Sequence, residues 1–335
     1  MIPTGSYWSR KLLLNFDIPH LIMQQSRFEL LLSNIHFADN TTIAPGNPLN
    51  KIFPLYEILQ ANYQKILTPG ENIIINETLI PWHGRPIFNQ YIPNKAYEYG
   101  IKLFKLCTPE GFTWSMMMFS TKYCDVRETR FAYNVCVALA KNLFNQGRTL
   151  YINNFYISYE FAISCLKQKT HVVGLVRNNK RSIPKDILQS KLQKGEMISK
   201  EDDNGIIILK WRDSRDVRIL STKHVPLMIP CIKYWDIINK ASNNSKSCVK
   251  LKPIAFIDYN KKKCIIDHSE QLISHITTII KGMKWYQKLG MQFLLGVTVV
   301  NAFVIYNQAT NKNIQIEQFK EILAQQLLEL IFCKL

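Results

Sequence analysis

The sequence predicts a mixed α/β sheet protein, interrupted by a basic β-rich insertion and flanked by helices from both ends of the chain. Three observations carry this. Apolar runs of strand length alternate with helix-period segments from Ile73 to about Val176. From Arg177 to about Lys252 the composition turns basic and the apolar pieces become short and strand-like. Residues 1–70 and the segment from Gln271 onward carry helical periodicity instead.

At the N-terminal side, Phe28, Leu31, Leu32 and Ile35 recur at helical spacing, with Ser26 placed to cap that helix. Leu55 to Ile66 repeats the amphipathic pattern, and Thr68-Pro69-Gly70 stops it. The stretch Glu71 to Cys107 organises the rest. Ile73-Ile74-Ile75 reads as a buried strand ending on two polar residues, Asn76 and Glu77. After a turn near Gly84, Tyr99 to Leu106 is a second strand, with Lys102 and Lys105 set among Ile101, Leu103, Phe104 and Leu106. Such a unit holds a metal, holds a phosphate backbone, or is an ordinary hairpin, and these residues alone leave all three open.

Further strands are expected at Thr113–Phe119, Thr149–Ile152 and His171–Val176, and helices at Phe131–Phe144 and Tyr159–Lys169. The strand Thr149–Ile152 also ends in amides, Asn153-Asn154. Met116-Met117-Met118 reads as core packing, because methionine is a general gap-filler. In the insertion, Ile206–Lys210 and Val217–Ser221 read as short strands, Trp211 as core, and Lys240–Lys252 as an exposed loop. The α/β pattern resumes with Ile254–Ile257, after which Asp267 and Glu270 stand at helical spacing on one face. Gln271–Ile280, Trp285–Asn307 and Ile316–Phe332 close the chain as helices.

Composition narrows the partners. The 335 residues are 47% hydrophobic and 20% charged, which describes a globular chain. Forty-two basic against 25 acidic residues leave a net charge of +17, which attracts polyanions, nucleic acid ahead of anionic membrane. Lys95, Lys102, Lys105, Arg177, Lys180 and Arg181 make a candidate phosphate track, although each alone reads equally as a solvated side chain. The eight cysteines are dispersed without a C-x-x-C pair, as expected of free thiols in a reducing compartment. Met291 to Tyr306 is the most apolar stretch; Gln292 and Asn301 interrupt it, so it reads as a buried helix rather than a membrane span. His83, His224, His268 and His275 form no zinc-type spacing, and Ser269 beside His268 has no geometric partner for nucleophilic work.

Taken in order, the segments 27–40, 68–104, 149–158, 172–179 and 258–271 resemble the piggyBac transposase family, and 285–307 resembles its C-terminal helical segment. The resemblance runs from about residue 20 to 310. It implies an RNase H-like, DDE transposase-type core over 71–178 and 253–271, with a β-rich insertion at 179–252. It also implies a helical dimerisation and DNA-binding domain assembled from 1–70 and 272–335. The implied partner is double-stranded DNA bound by a homodimer in the nucleus or else the cytoplasm, with neither membrane nor small-molecule substrate.

The family's catalytic aspartates fall at Asn76, Asn153 and Asp267, and Glu270 matches a further acidic position. Three carboxylates set three negative charges against a pair of Mg²⁺ ions, whereas this set offers one, from Asp267, plus whatever Glu270 can reach. The expectation is therefore no resident metal, where the family uses Mg²⁺, and no cutting or joining of DNA. Cys264-Ile265-Ile266 stands where the family is glycine-rich, and Cys333 alone does not make the family's cysteine-rich zinc module. With that module and the acidic N-terminal extension missing, truncation at both ends is expected. Three alternatives stand beside this reading: a decayed transposon copy without selected function, a protein-interaction module, and a residually active transposase.

Overall fold

Ile73, Ile74 and Ile75 are all buried, so the strand carrying them is covered on both faces, and the sheet extends outward from it. The computed structural model describes residues 4–14, 16–39, 41, 48–81, 90–91, 99–118, 131–177, 184–231, 250–274 and 283–333. The chain divides into two compact units. The first gathers Met1–Leu67, Ile80–Ile101 and Ser269–Leu335; the second holds Thr68–Leu79 and Lys102–His268.

The strands are β1 (Asn72–Pro81), β2 (Gln90–Tyr91), β3 (Tyr99–Cys107), β4 (Thr113–Met118), β5 (Thr149–Ile152), β6 (His171–Leu175), β7 (Met197–Glu201), β8 (Ile207–Arg212) and β9 (Asp216–Ser221). They hydrogen-bond in the order β2-β3-β1-β5-β6-β9-β8-β7, with β4 beside β3. β1, β5 and β6 run parallel. β9 joins β6 antiparallel, and β8 and β7 continue antiparallel beyond it. The strands of the basic segment thus lie in the same sheet as β1. A separate ribbon pairs β10 (Met228–Cys231) with β11 (Lys250–Pro253).

The helices are α1 (Asp17–Ile22), α2 (Gln25–Asn34), α3 (Phe53–Ile66), α4 (Phe131–Ala140), α5 (Tyr159–Lys167), α6 (Lys185–Gln189), α7 (Ile254–Ser274), α8 (Trp285–Met291), α9 (Thr298–Thr310) and α10 (Ile316–Phe332). In the second unit, one sheet face presents Ile74, Tyr151, Val173, Leu209, Trp211 and Ile219 to Ala255 and Tyr259 of α7. Trp211 is 2% exposed, a core residue as expected. Alternation turns Ile73, Ile75, Leu150 and Ile152 to the other face. α4 buries Phe131, Val135, Cys136, Leu139 and Ala140, one helical stripe, and Tyr133 hydrogen-bonds Ser164 of α5 at 2.9 Å. Ser158 caps α5 by accepting the Phe161 N–H at 3.2 Å. In β6, a Cβ on Gly174 would lie 2.7 Å from the Ile152 carbonyl oxygen, so β5 and Gly174 approach as only glycine allows.

Within the first unit, the Gln287 carboxamide N–H₂ is shared by the carbonyls of Leu32, Ser33 and Ile35 at 3.3, 3.2 and 3.1 Å. These are among the acceptors that the C-terminal end of α2 leaves without helical partners. Tyr63 of α3 meets the Thr298 hydroxyl at 2.7 Å, and burial pushes its phenol up to about 12. Phe319 of α10 packs on Phe303 and Tyr306 of α9. Trp285–Thr310 is long and apolar enough to cross a membrane by length and composition. Leu289, Phe293, Val297, Val300 and Val304 along it are buried within the protein, as are the polar Gln287 and Asn301.

Several elements differ from expectation. β1 does not end at Asn76 but runs on to Pro81; what ends after Ile75 is its pairing with β5. Ile254–Ile257 is the first turn of α7 rather than a strand, since a short apolar run carries no period of its own. The helical spacing shows one step later, where Ala255 and Tyr259 both enter the core. Ser26 lies inside α2, whose N-cap residue is Gln24 and forms no side-chain cap bond. The helix from Trp285 is interrupted by a π segment, Gln292–Val297, between α8 and α9. The edge strand β7 carries little apolar signal, since Lys200 and Glu201 interrupt it, and β11 begins within the expected loop Lys240–Lys252 and runs on to Pro253. The free thiols Cys107, Cys136 and Cys165 are buried, whereas Cys264 and Cys333 are exposed.

Candidate functional site

Parallel register builds the site. Asn72 pairs with Thr149, and the ladder continues to Ile75 with Ile152, so Asn76 and Asn153 are the next residues along two adjacent strands. Both amides stand at the carboxyl end of this paired segment, the side on which open α/β sheets hold ligands. Each is two residues beyond a residue of the α7-covered face, Ile74 and Tyr151 respectively, and therefore shares that face. Asn76 and Asn153 line one cleft with Tyr151, Tyr259 and Lys263. Ile74, Ile75 and Ile152 also line it, and its enclosed space is about 20 Å³.

Tyr259, Lys263 and Asp267 follow one another at intervals of four along α7, a single stripe of that helix. The side chains of Asp267 and Glu270 lie outside the described residues, and Glu270 falls in the part of α7 that belongs to the first unit. Among the described residues, no three His, Cys, Asp or Glu side chains gather closely enough to hold a metal ion. Asn153 Oδ1 accepts the backbone N–H of Asn154 at 2.6 Å. Only the oxygen of a carboxamide can accept that bond, which fixes the orientation of the amide and sets its N–H₂ donor beside it. The described lining offers carboxamide oxygens without formal charge and an ammonium that repels a cation, a poorer fit to Mg²⁺ than a set of carboxylates.

A hydrogen-bonded chain anchors α7 to the sheet near this cleft. The Tyr151 hydroxyl donates to Asp258 Oδ2 at 2.5 Å, and His224 Nε2 reaches the same oxygen at 3.0 Å. Burial, then the Asp258 carboxylate, hold the Tyr151 phenol well above its ordinary range. Burial also pushes His224 below its ordinary value, against the opposing pull of Asp258. The neutral ring then donates from Nε2 to Asp258 and accepts the Ser221 hydroxyl at Nδ1, 2.9 Å away. Serine, histidine and aspartate in series have the outline of a nucleophilic triad. Ser221, however, is fully buried, and its Oγ also accepts the backbone N–H groups of Lys223 and His224 at 3.2 and 3.1 Å. That hydroxyl closes a turn, and the chain is a structural anchor.

The expected basic track is only partly in view. Lys102 is paired with Glu77 at 2.6 Å and lies over the rings of Phe104 and Phe155, its side chain 12% exposed. Lys105 is 1% exposed, which takes its ammonium out of reach of a phosphate at the surface. Arg177 is exposed, lies over the Phe155 ring and donates from Nε to Asn154 Oδ1 at 3.3 Å, beside the Asn153 turn. Lys95, Lys180 and Arg181 lie outside the described residues. Sequence reasoning missed Lys263, hidden in the run Lys261-Lys262-Lys263; counting four residues back from Asp267 singles it out.

A family model described as Transposase IS4 matches residues 2–303. The chain belongs to this transposase family. It is of the piggyBac type. It is 21% identical over 323 residues to PiggyBac transposable element-derived protein 3 of Homo sapiens, covering 94% of this chain and 53% of that protein. PiggyBac transposable element-derived protein 2 of Homo sapiens is 22% identical over 303 residues, covering 86% and 50% respectively. The chain thus spans about half the length of the curated relatives it matches. Its structure also resembles that of a piggyBac transposase in a synaptic complex with hairpin DNA, solved by cryo-EM. The TM-score is 0.81 at 22% identity, over 96% of this chain and 66% of the other. The mixed sheet of this piggyBac-type chain is accordingly the RNase H-like core of a DDE transposase fold.

Proposed function

We propose that this piggyBac-type chain is a DNA-binding protein that neither cleaves DNA nor transfers strands. The observation supporting this is that Asn76 and Asn153, each next after the last paired residue of its strand, share one cleft that Lys263 also lines. On this reading Asn76, Asn153 and Asp267 occupy the catalytic positions of the family, with Glu270 as its auxiliary acid, and the set is non-functional. Phosphoryl transfer on DNA relies on hard anionic oxygens to hold divalent ions and generate a nucleophile. Neutral carboxamides bring no charge to that task, and an ammonium opposes it.

DNA remains the natural partner of a chain carrying +17 net charge. The solved piggyBac transposase is itself bound to hairpin DNA. Arg177 is the described member of the basic track that faces solvent, and Lys95, Lys180 and Arg181 extend it in the proposal. Homodimerisation through the helical segments 1–70 and 272–335, and a nuclear location, belong to the same proposal.

The test combines binding and chemistry on one purified sample. Hairpin and duplex DNA are incubated with Mg²⁺ or Mn²⁺ and scored for nicking, while affinity is measured across a salt series. The expected result is no cleavage, with an affinity that falls steeply as salt rises, a logarithmic slope of about −0.9 for each phosphate contacted. Metal-dependent nicking that disappears in Asp267→Ala would overturn the proposal.

A further inference from the structure

We infer that the cleft between β1, β5 and α7 binds a phosphate-type oxyanion, with no metal ion as intermediary. The inference rests on reading this centre as metal-free, and it goes further by reversing the sign of the ion that the cleft accepts.

The donor set makes the case. Asn153 Oδ1 accepts the Asn154 N–H, and the N–H₂ beside it is a donor that a carboxylate at this position would lack. An aspartate at this position would accept the same N–H and turn a second anionic oxygen to the cleft, so the exchange converts an acceptor into a donor at one atom. Lys263 supplies a cation to the same cleft. Ile74, Tyr151 and Tyr259, which also line the cleft, are buried, and lower local polarity strengthens a charge-assisted hydrogen bond. Arg177 stands next to the Asn153-Asn154 turn and adds positive potential at its rim.

Two acids stand near this set among the described residues. Glu77 is paired with Lys102, and Asp258 keeps its charge but is turned to the Tyr151 hydroxyl and His224 and does not line the cleft. Asp267 is the acidic position on the Lys263 stripe, one turn further along α7, and a salt bridge with it is the competing use of the Lys263 ammonium.

The test is a calorimetric titration of the full chain with inorganic phosphate, at low ionic strength and with chelator present. The expected result is one phosphate per chain, bound about tenfold more weakly in Lys263→Ala and in Asn153→Asp, as loss of one charged or donor contact predicts. Lys263→Arg retains binding, and Asp267→Asn strengthens it. Unchanged phosphate affinity in both Lys263→Ala and Asn153→Asp overturns the inference, as does saturable Mg²⁺ binding by the wild-type chain in the absence of chelator. A short duplex separates the two sources of the anion. If duplex affinity falls in Lys263→Ala and phosphate competes, the occupant is a backbone phosphate; if only free phosphate is affected, it is a soluble anion. Absence of phosphate binding together with absence of nicking would remove this inference and leave the proposed function standing, whereas nicking removes the latter.

Discussion

Tyr151→Phe deletes one oxygen and leaves the ring in place, which makes it the cleanest probe of how α7 is held on the sheet. The residue is 1% exposed and its hydroxyl donates to the Asp258 carboxylate at 2.5 Å. A hydrogen bond to a charged acceptor contributes about 1.5–3 kcal/mol. With the Asp258 side chain 27% exposed, water takes over part of the bond, so the lower end applies, about 1.5 kcal/mol. Asp258→Ala costs more, about 3–4 kcal/mol, because it leaves both the Tyr151 hydroxyl and the His224 N–H without their acceptor. The double variant should fall short of the sum of the two single losses by about 1.5 kcal/mol, since both remove the same bond. Guanidinium unfolding followed by circular dichroism reads these differences. In a thermal melt Tyr151→Phe lowers Tm by about 2 °C. A change within about 0.5 kcal/mol for Tyr151→Phe, with additive behaviour in the double variant, would show that the contact does not anchor the helix.

Two further outcomes follow from neighbouring contacts. Burial holds His224 below the ordinary histidine value of 6.5 in the folded chain, so on acidification the unfolded chain takes up the proton first. The stability from this site is complete above the ordinary value and is lost as pH falls through the folded one. Urea midpoints measured from pH 7.5 down to 5 should therefore decline, and His224→Gln should flatten that part of the decline; Asp258, Lys223 and His171 are the charged neighbours that modulate it. An equal decline in both proteins would refute the assignment. Gly174→Ala forces a methyl to within 2.7 Å of both the Ile152 carbonyl oxygen and Ile157 Cδ1, and should cost about 2–3 kcal/mol. An unchanged Tm would mean that β5 and β6 separate freely, and with them the strand end that carries Asn153.

Much of the sheet was legible because β5 and β6 are short apolar runs bounded by turn residues, which leaves little choice of element. The four residues Ile254–Ile257 failed for the opposite reason, being too few to show a period. Lys102 and Lys105 are separable on the sequence itself. Three residues apart on a strand, they face opposite sides, so one track could never take both. The positions Asn76 and Asn153 came from family resemblance; their adjacency depends on a strand register that no local pattern encodes. The Tyr151–Asp258–His224 chain was illegible because its members come from a strand, a helix and a loop, meeting only in the folded sheet. Lys263 was masked by two lysines of the same charge beside it.

The register of β1 on β5 also bears on what the fold needs in order to stand alone. Two carboxylates side by side on adjacent strands repel each other, and such a pair leans on a bound cation for part of its stability. Carboxamides have nearly the same shape and no charge, so the strand ends at Asn76 and Asn153 can lie together with nothing between them. At these two positions the sheet carries no charge that calls for a counter-ion.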